Sequence, residues 1–317
     1  MKQSSKRAVP TVSVVIPTLN AQRQLRPLLA LLRRQTLHPE IVIADSMSED
    51  ESAAIAEEGG CLLLTVPRET FDHGGTRTMA AKRSHGEIIL FLTQDALPCD
   101  GESVARLIKA FEDPAVGAAY GRQLPHPGET PFGAHLRLFN YGELPYVRSY
   151  EDRKRYGIKS AFLSNSFAAY RRSALEEIGW FTERLILGED MVAGAKLLKA
   201  GYRLAYVPEA EVYHSHSYTV WQEFKRYFDI GVFHACEPWL LEEFGKPEGE
   251  GVRFVRSELG YLTAERRYGL IPAALLRNGM KLLGYKGGRH FRALPRWLIL
   301  RLSMHPRWWL RYNAKKS

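Results

Sequence analysis

The first hundred residues alternate between short apolar runs and stretches in which leucine or alanine recurs every three or four positions. Thr11-Val-Ser-Val-Val-Ile16 is β-branched and stopped by Pro17, which predicts a buried strand. Leu25, Leu28, Leu29 and Leu32 then fall on one helical stripe between Arg23 and Arg34. Ile41-Val-Ile-Ala44 predicts a second strand ending at Asp45. Ser48 and Glu51 have capping-box spacing ahead of a helix through Ala53 to Glu58. Leu62-Leu-Leu64 and Ile88-Ile-Leu-Phe-Leu92 predict a third and a fourth strand. This alternation predicts an α/β fold with a mainly parallel central sheet flanked by helices. Ligands of such sheets bind beyond the carboxyl ends of the strands, so residues 17–20, 45–50, 68–77 and 93–96 are the places to look.

After Asp113 the pattern is less regular. Residues 121–160, rich in Gly, Pro, Tyr and Arg, read as a long loop or lid region. A strand is expected at residues 166–170 and a helix from Ser173 to Ile178. A second helix from Glu189 to Ala200 is closed by Gly201. Leu204 to Val207 reads as an edge strand, and Trp221 to Phe233 as a helix.

Composition changes this picture in two places. The three cysteines are far apart and odd in number, which argues against a disulfide framework and for a reducing compartment. No run reaches the ~20 apolar residues of a spanning helix, and the N-terminus lacks a signal-peptide core, so a cytoplasmic protein is expected. The net charge of +9 is also unevenly placed: from Arg266 onward there are 13 Lys and Arg and no Asp or Glu. The remainder has 31 basic against 35 acidic residues. The charge therefore belongs to a tail, and no nucleic-acid partner is expected.

Four segments carry candidate chemistry. Thr93-Gln-Asp-Ala96 delivers one carboxylate to the end of an apolar strand, where Asp95 either ligates a hard divalent cation or caps the turn before Pro98. Leu187-Gly-Glu-Asp190 sets two acids at a helix start, which the helix dipole favours. Asp190 there is also placed to act as a general base. His214 and His216 occupy alternate positions of an extended segment and so point the same way, toward a metal or a phosphate. With no third soft ligand nearby, zinc is disfavoured. Phe71-Asp-His-Gly-Gly-Thr-Arg77 joins two glycines, which allow close backbone approach to a ligand, with Asp72, His73 and Arg77, which suit sugar hydroxyls or pyrophosphate. Otherwise this segment is a polar turn opening a helix over residues 78–84. It lacks the Lys-Ser/Thr ending of a P-loop, and no glycine fingerprint follows the first strand.

Together these segments resemble an inverting family 2 glycosyltransferase of the GT-A type. The resemblance rests on Val14-Val-Ile-Pro-Thr-Leu-Asn20, the strand ending at Asp45 with residues 46–50, Thr93-Gln-Asp-Ala96 and Glu189-Asp190, in the family's order over residues 11–235. Phe71-Asp-His-Gly-Gly-Thr-Arg77, Gly121-Arg-Gln-Leu-Pro125 and Tyr213-His-Ser-His216 look like the rhamnosyltransferases that use dTDP-L-rhamnose. Thr78 departs from that pattern, where Asn is expected, and the usual Asp-X-Asp triplet appears as Gln94-Asp95-Ala96. The resemblance implies a GT-A catalytic domain over residues 11–235, after a tail at 1–10. It implies that Pro17, Thr18, Asn20, Asp45, Arg68, Asp72, His73, Gly74, Gly75, Arg77 and Gln94 bind the nucleotide-sugar donor, with Asp45 on the base. Asp95, with His214 or His216, would hold Mg²⁺ or Mn²⁺ on the diphosphate. Asp190 would be the catalytic base and Glu189 would orient the acceptor or the neighbouring helix. Direct displacement then inverts the anomeric centre.

Residues 236–317 form a basic helical extension with Leu275, Leu276, Leu282, Leu283, Trp297, Leu298, Ile299, Leu300, Trp308 and Trp309 among its cations. That combination suits a helix in an anionic membrane interface; the alternative is packing on the catalytic domain. The acceptors implied are glycans or lipid-linked oligosaccharides of bacterial surface polysaccharide, presented at the inner face of the membrane. Two rival readings are a family 2 transferase using another UDP- or dTDP-sugar, and a non-catalytic nucleotide-binding or scaffold protein, suggested by Ala96 in place of the second acid.

Overall fold

The computed structural model describes residues 10–245 and 249–312; apart from Pro10, the expected N-terminal tail lies outside them. Strands β1 (Val12–Thr18), β2 (Glu40–Asp45), β3 (Leu62–Thr65) and β4 (Ile88–Leu92) come first. They are followed by β5 (Leu97–Pro98), β6 (Val116–Leu124), β7 (Tyr146–Arg148), β8 (Phe167–Arg171) and β9 (Arg203–Tyr213). Their order in one sheet is β3-β2-β1-β4-β8-β6-β9-β5, with β7 beside β9. β1 to β4 pair in parallel, as the alternation predicts. β8 then enters antiparallel between β4 and β6, and β5 and β7 run antiparallel to β9. The sheet is thus parallel in its first half and mixed beyond it. This places the carboxyl ends of β1, β2, β4, β6 and β9, and the start of β8, along one edge.

The period-two pattern decides the two core faces. Val15, Val42, Ala44, Ile89 and Phe91 lie in one buried cluster, with Ala80 and Ala81 of the helix His73–Arg83 and Leu197 and Leu198 of the helix Glu189–Lys199. Val14, Ile16, Ile43, Ile88 and Leu90 lie in the other, against Leu25, Leu28, Leu29 and Leu32 of the helix Gln22–Arg33. Each fully buried leucine contributes on the order of 1.5–3 kcal/mol, so the stripe alone is enough to fix which side of that helix faces the sheet.

The structure corrects several local expectations. β1 continues through Pro17 to Thr18, because its pairing with β4 ends at Val15 while its pairing with β2 runs on to Thr18. The region read as a loop from residue 121 contains the end of β6, a helix Pro131–Asn140 and β7. β9 is no edge strand: it is eleven residues long and lies between β6 on one side and β5 and β7 on the other. Its register to β6 jumps between Gly121 and Arg122, where a Cβ on Gly121 would lie 2.4 Å from the Ala210 carbonyl. Glycine is required at that approach.

The C-terminal helices are packed onto the sheet-bearing part. The helix Val220–Cys236 meets the helix Ile271–Arg289 at glycines; a Cβ on Gly288 would lie 1.9 Å from the Phe228 carbonyl. Ile299 and Trp309 are buried in the same cluster as the sheet residues. Trp308 Nε1 donates to the Arg184 carbonyl at 2.9 Å, and Arg311 donates to the carbonyls of Phe71 and Arg68. Trp308 and Trp309 therefore face the protein, not a bilayer. Leu275, Leu276, Leu282, Leu283 and Trp297 do stand exposed. No described helix is long and apolar enough to cross a membrane.

Candidate active site

β1 and β2 end side by side at Thr18 and Asp45. Asp45 accepts from the Thr18 hydroxyl (2.9 Å), from the Ser48 hydroxyl (2.6 Å) and from the Ser48 N–H (2.8 Å). Asn20 N–H donates to Ser48 Oγ at 2.8 Å, and Asn20 Oδ1 accepts from Glu49 N–H at 2.9 Å. Asn20 and Met47 take left-handed backbone, which folds the turn after β2 over the end of β1. Ser48 is therefore no helix cap; Asp50 opens the helix Ser52–Glu58, accepting from Ser52 N–H at 3.0 Å. Asp45, only 4% exposed, is committed to shaping this wall. Gln94 ties in β4 by accepting from Leu19 N–H at 2.9 Å. Arg68 holds the far rim, donating to the carbonyls of Ser46 and Met47 and pairing with Glu49 at 2.6 Å.

The 71–77 segment serves the fold more than the sequence suggests. Asp72 caps the helix His73–Arg83, accepting from Gly75 N–H at 2.7 Å, while its other oxygen accepts from Arg184 N–H at 2.9 Å. A Cβ on Gly74 would lie 2.2 Å from the Thr182 carbonyl, so the close approach made there is to the chain's own backbone. A Cβ on Gly75 would crowd Asp72 Oδ1 at 3.3 Å. Arg77, buried, pairs with Glu189 at 3.1 Å. His73 stacks edge-on to His305, and burial lowers its pKa below the ordinary imidazole value, keeping it neutral. Asp72, Gly74, Gly75 and Arg77, expected to bind the donor, each also meet a group of this chain that accounts for the residue type there.

Asp95, His214 and His216 converge. His214 Nε2 lies 3.5 Å from Asp95 Oδ1 and His216 Nδ1 lies 3.7 Å from Asp95 Oδ2. One ligand atom from each lies within 4.8 Å of the others. Asp95 follows β4 and the histidines follow β9, so the two alternate positions do aim at one point. Burial pushes the His214 pKa down to about 3, against the pull of Asp95; a neutral imidazole is what ligation needs. One carboxylate and two neutral imidazoles fit a divalent cation with a mixed O/N shell and leave positions open for phosphate oxygens.

Glu189 and Asp190 open their helix behind Gly188, whose left-handed backbone turns the chain. Burial opposes the charge on Glu189, but Arg77, helped by the Asn165 amide, outweighs it and holds its pKa below the usual value. Asp190 differs. Burial, and then the neighbouring Glu189 charge, raise it to about 7, against the N–H groups of Asn165 (3.1 Å) and Met191 (2.8 Å). Two adjacent carboxylates thus behave differently near neutral pH: one is a fixed anion, the other is poised to exchange a proton.

Asn165, Ser164 and Gln123 complete the site and carry no role in the sequence reading. Asn165 donates through its amide to Glu189 at 3.2 Å and is held by Tyr170 at 2.8 Å. Gln123 accepts from His214 Nδ1 at 2.8 Å and from Arg137 at 2.7 Å, and donates to Ser164 Oγ at 2.9 Å. Buried polar side chains at strand ends were the available signal.

The sequence model of glycosyl transferase family 2 matches residues 13–179. The O-antigen chain rhamnosyltransferase RfbN of Salmonella typhimurium is 43% identical over 311 residues, covering 96% of this chain and 99% of its own length. WbaN of Salmonella anatum, also an O-antigen chain rhamnosyltransferase, is 42% identical over 98% of this chain and 99% of its own. Among solved structures, the mannosyltransferase PcManGT of Pyrobaculum calidifontis, in complex with GDP-Man and Mn²⁺, has a TM-score of 0.59 at 20% identity, covering 95% of this chain and 88% of that one. S. aureus TarS 1-349 in complex with UDP-GlcNAc has a TM-score of 0.53 at 16% identity, covering 89% and 91%. At these identities the structures speak to the fold, and it is the GT-A fold. Matched over more than half its length by the family and over nearly all of it by two such relatives, the chain belongs to glycosyl transferase family 2 and is a glycosyltransferase.

Proposed function

We propose that the chain transfers L-rhamnose from dTDP-L-rhamnose, with inversion, onto a glycan or lipid-linked oligosaccharide during O-antigen synthesis. The carrying observation is the near full-length identity to two O-antigen chain rhamnosyltransferases. In this reading the turn built on Thr18, Asn20 and Asp45, rimmed by Arg68, receives the nucleoside. Asp190 takes the proton of the acceptor hydroxyl as its oxygen bonds the anomeric carbon and the bond to the diphosphate breaks on the opposite face. Glu189, neutralised by Arg77 and anchored by Asn165, keeps the start of the helix in place so that Asp190 faces the acceptor. A divalent cation held by Asp95, His214 and His216 would offset charge on the departing diphosphate; the two imidazoles favour Mn²⁺ over Mg²⁺, which prefers an all-oxygen shell.

A panel of nucleotide sugars tests this. Turnover or donor hydrolysis with dTDP-rhamnose, lost on chelation and restored best by Mn²⁺, is expected. Preference for a UDP-sugar would reassign the donor. Nucleotide binding without turnover on any acceptor or on water would make the chain a binding protein.

We further propose that the enzyme works against an anionic bilayer. The helix Ile271–Arg289 turns Leu275, Leu276, Leu282 and Leu283 outward at i, i+7 spacing. Arg266 and Arg267 precede this stripe and Lys286 continues it. An acid-free segment repels a second copy of itself and attracts anionic headgroups, which favours lipid over self-association.

A further inference from the structure

Gln123, at the end of β6, is 1% exposed and sits between the two halves of the site. An arginine side chain only donates, so the Gln123 atom 2.7 Å from Arg137 Nη1 is the carbonyl oxygen, whichever way the amide is drawn. The same oxygen is 2.8 Å from His214 Nδ1. An oxygen that only accepts requires a hydrogen on that nitrogen. The nitrogen left to offer a lone pair is then Nε2, the atom that faces Asp95. The other end of the amide donates to Ser164 Oγ at 2.9 Å, and the next residue, Asn165, is the one whose N–H holds Asp190.

We infer that Gln123 is a positioning residue: it locks His214 in the Nδ1–H tautomer, presents the Nε2 lone pair to a divalent cation beside Asp95, and ties this ligand to the loop that holds Asp190. The inference rests on reading Asp95, His214 and His216 as ligands. Arg137 strengthens the lock by occupying the second lone pair of the Gln123 oxygen, so the amide cannot reverse without setting an N–H against a guanidinium. Partners in the next shell that fix a ligating histidine are worth 10–100-fold in metal affinity.

The test uses the full chain, metal-free and labelled with ¹⁵N-histidine. Long-range ¹H–¹⁵N correlation, assigned with a His214→Gln variant, is expected to show His214 protonated at Nδ1 alone. An Nε2–H or doubly protonated ring in the unaltered protein overturns the inference without any further variant. Gln123→Leu should mix the tautomers and weaken Mn²⁺ binding by calorimetry about 10–100-fold, whereas Gln123→Glu, which keeps the acceptor, should hold both near the starting values. Mn²⁺ affinity within about twofold of the original in a folded Gln123→Leu protein would also overturn it. Correct tautomer and Mn²⁺ behaviour with no sugar transfer would fault the proposed function and leave this inference standing.

Discussion

Adjacent acids with opposite protonation behaviour are the central fact at the scale of single residues. Glu189 and Asp190 share a backbone neighbourhood and differ in partner: the first has a guanidinium at 3.1 Å, the second is held by the N–H groups of Asn165 and Met191 beside its negative neighbour. A base must be unprotonated, so with an Asp190 pKa of about 7 the kcat/KM should rise with pH through that value and level off above it. Asp190→Asn should remove the rise and cut kcat about 10²–10⁴-fold while nucleotide binding by calorimetry stays put. A flat pH profile in the unaltered enzyme, or a fast Asn variant, would deprive Asp190 of the role. The pair was visible in the sequence as two acids at a helix start. Which one stays charged was not, because Arg77 lies more than a hundred residues away in the chain.

For whole elements, period and burial agree closely in the first half of the sheet. The leucine stripe of residues 25–32 and the β-branched strands specify both their conformation and the side they bury, since local periodicity and tertiary burial demand the same residues there. Agreement fails in β6 and β9. β9 reads as four apolar residues because Pro208 and Glu209 interrupt it, yet the strand continues past a bulge that glycine at 121 permits. Pairing partners distant in sequence supply that continuation. The same kind of contact governs the helix pair Val220–Cys236 and Ile271–Arg289, where backbones touch through Gly231, Gly284 and Gly288. Gly288→Ala should force these helices apart and destabilise the protein by about 1–3 kcal/mol in chemical denaturation. An unchanged midpoint would mean the pair is looser than its geometry indicates.

Taken whole, the molecule presents its basic extension in two directions. Its last helix, Pro306–Tyr312, returns to the active-site side, where Arg311 holds the carbonyls of Arg68 and Phe71. The long helix before it faces outward with leucines. Deleting residues 306–317 should therefore raise KM for the nucleotide sugar several-fold, by freeing the 68–71 rim, and leave vesicle binding intact. Leu276→Glu with Leu283→Glu should do the reverse, abolishing co-sedimentation with anionic vesicles at little cost to transfer onto a soluble acceptor. If the truncation abolishes vesicle binding and the leucine variant does not, the outward stripe is not the docking face.

The sequence by itself determined the alternation of strand and helix, the two faces of the first sheet half and the family resemblance, and it singled out Asp95, His214, His216, Glu189 and Asp190 as candidates for the chemistry. Each of these is encoded locally, by periodicity or by a short run of unusual residues, so no long-range contact is needed to read it. Only the tertiary structure decided that Asp45, Asp72 and the Gly74–Gly75 pair pack against groups of their own chain, that Trp308 and Trp309 face inward while Trp297 stands exposed, and that Gln123 and Asn165 join the surroundings of His214 to those of Asp190. Those roles depend on groups brought in by other elements, from 25 residues away for Asn165 and Asp190 to 112 for Asp72 and Arg184. A hydrogen-bonding side chain at a strand end looks alike in sequence whether it faces a ligand or its own chain.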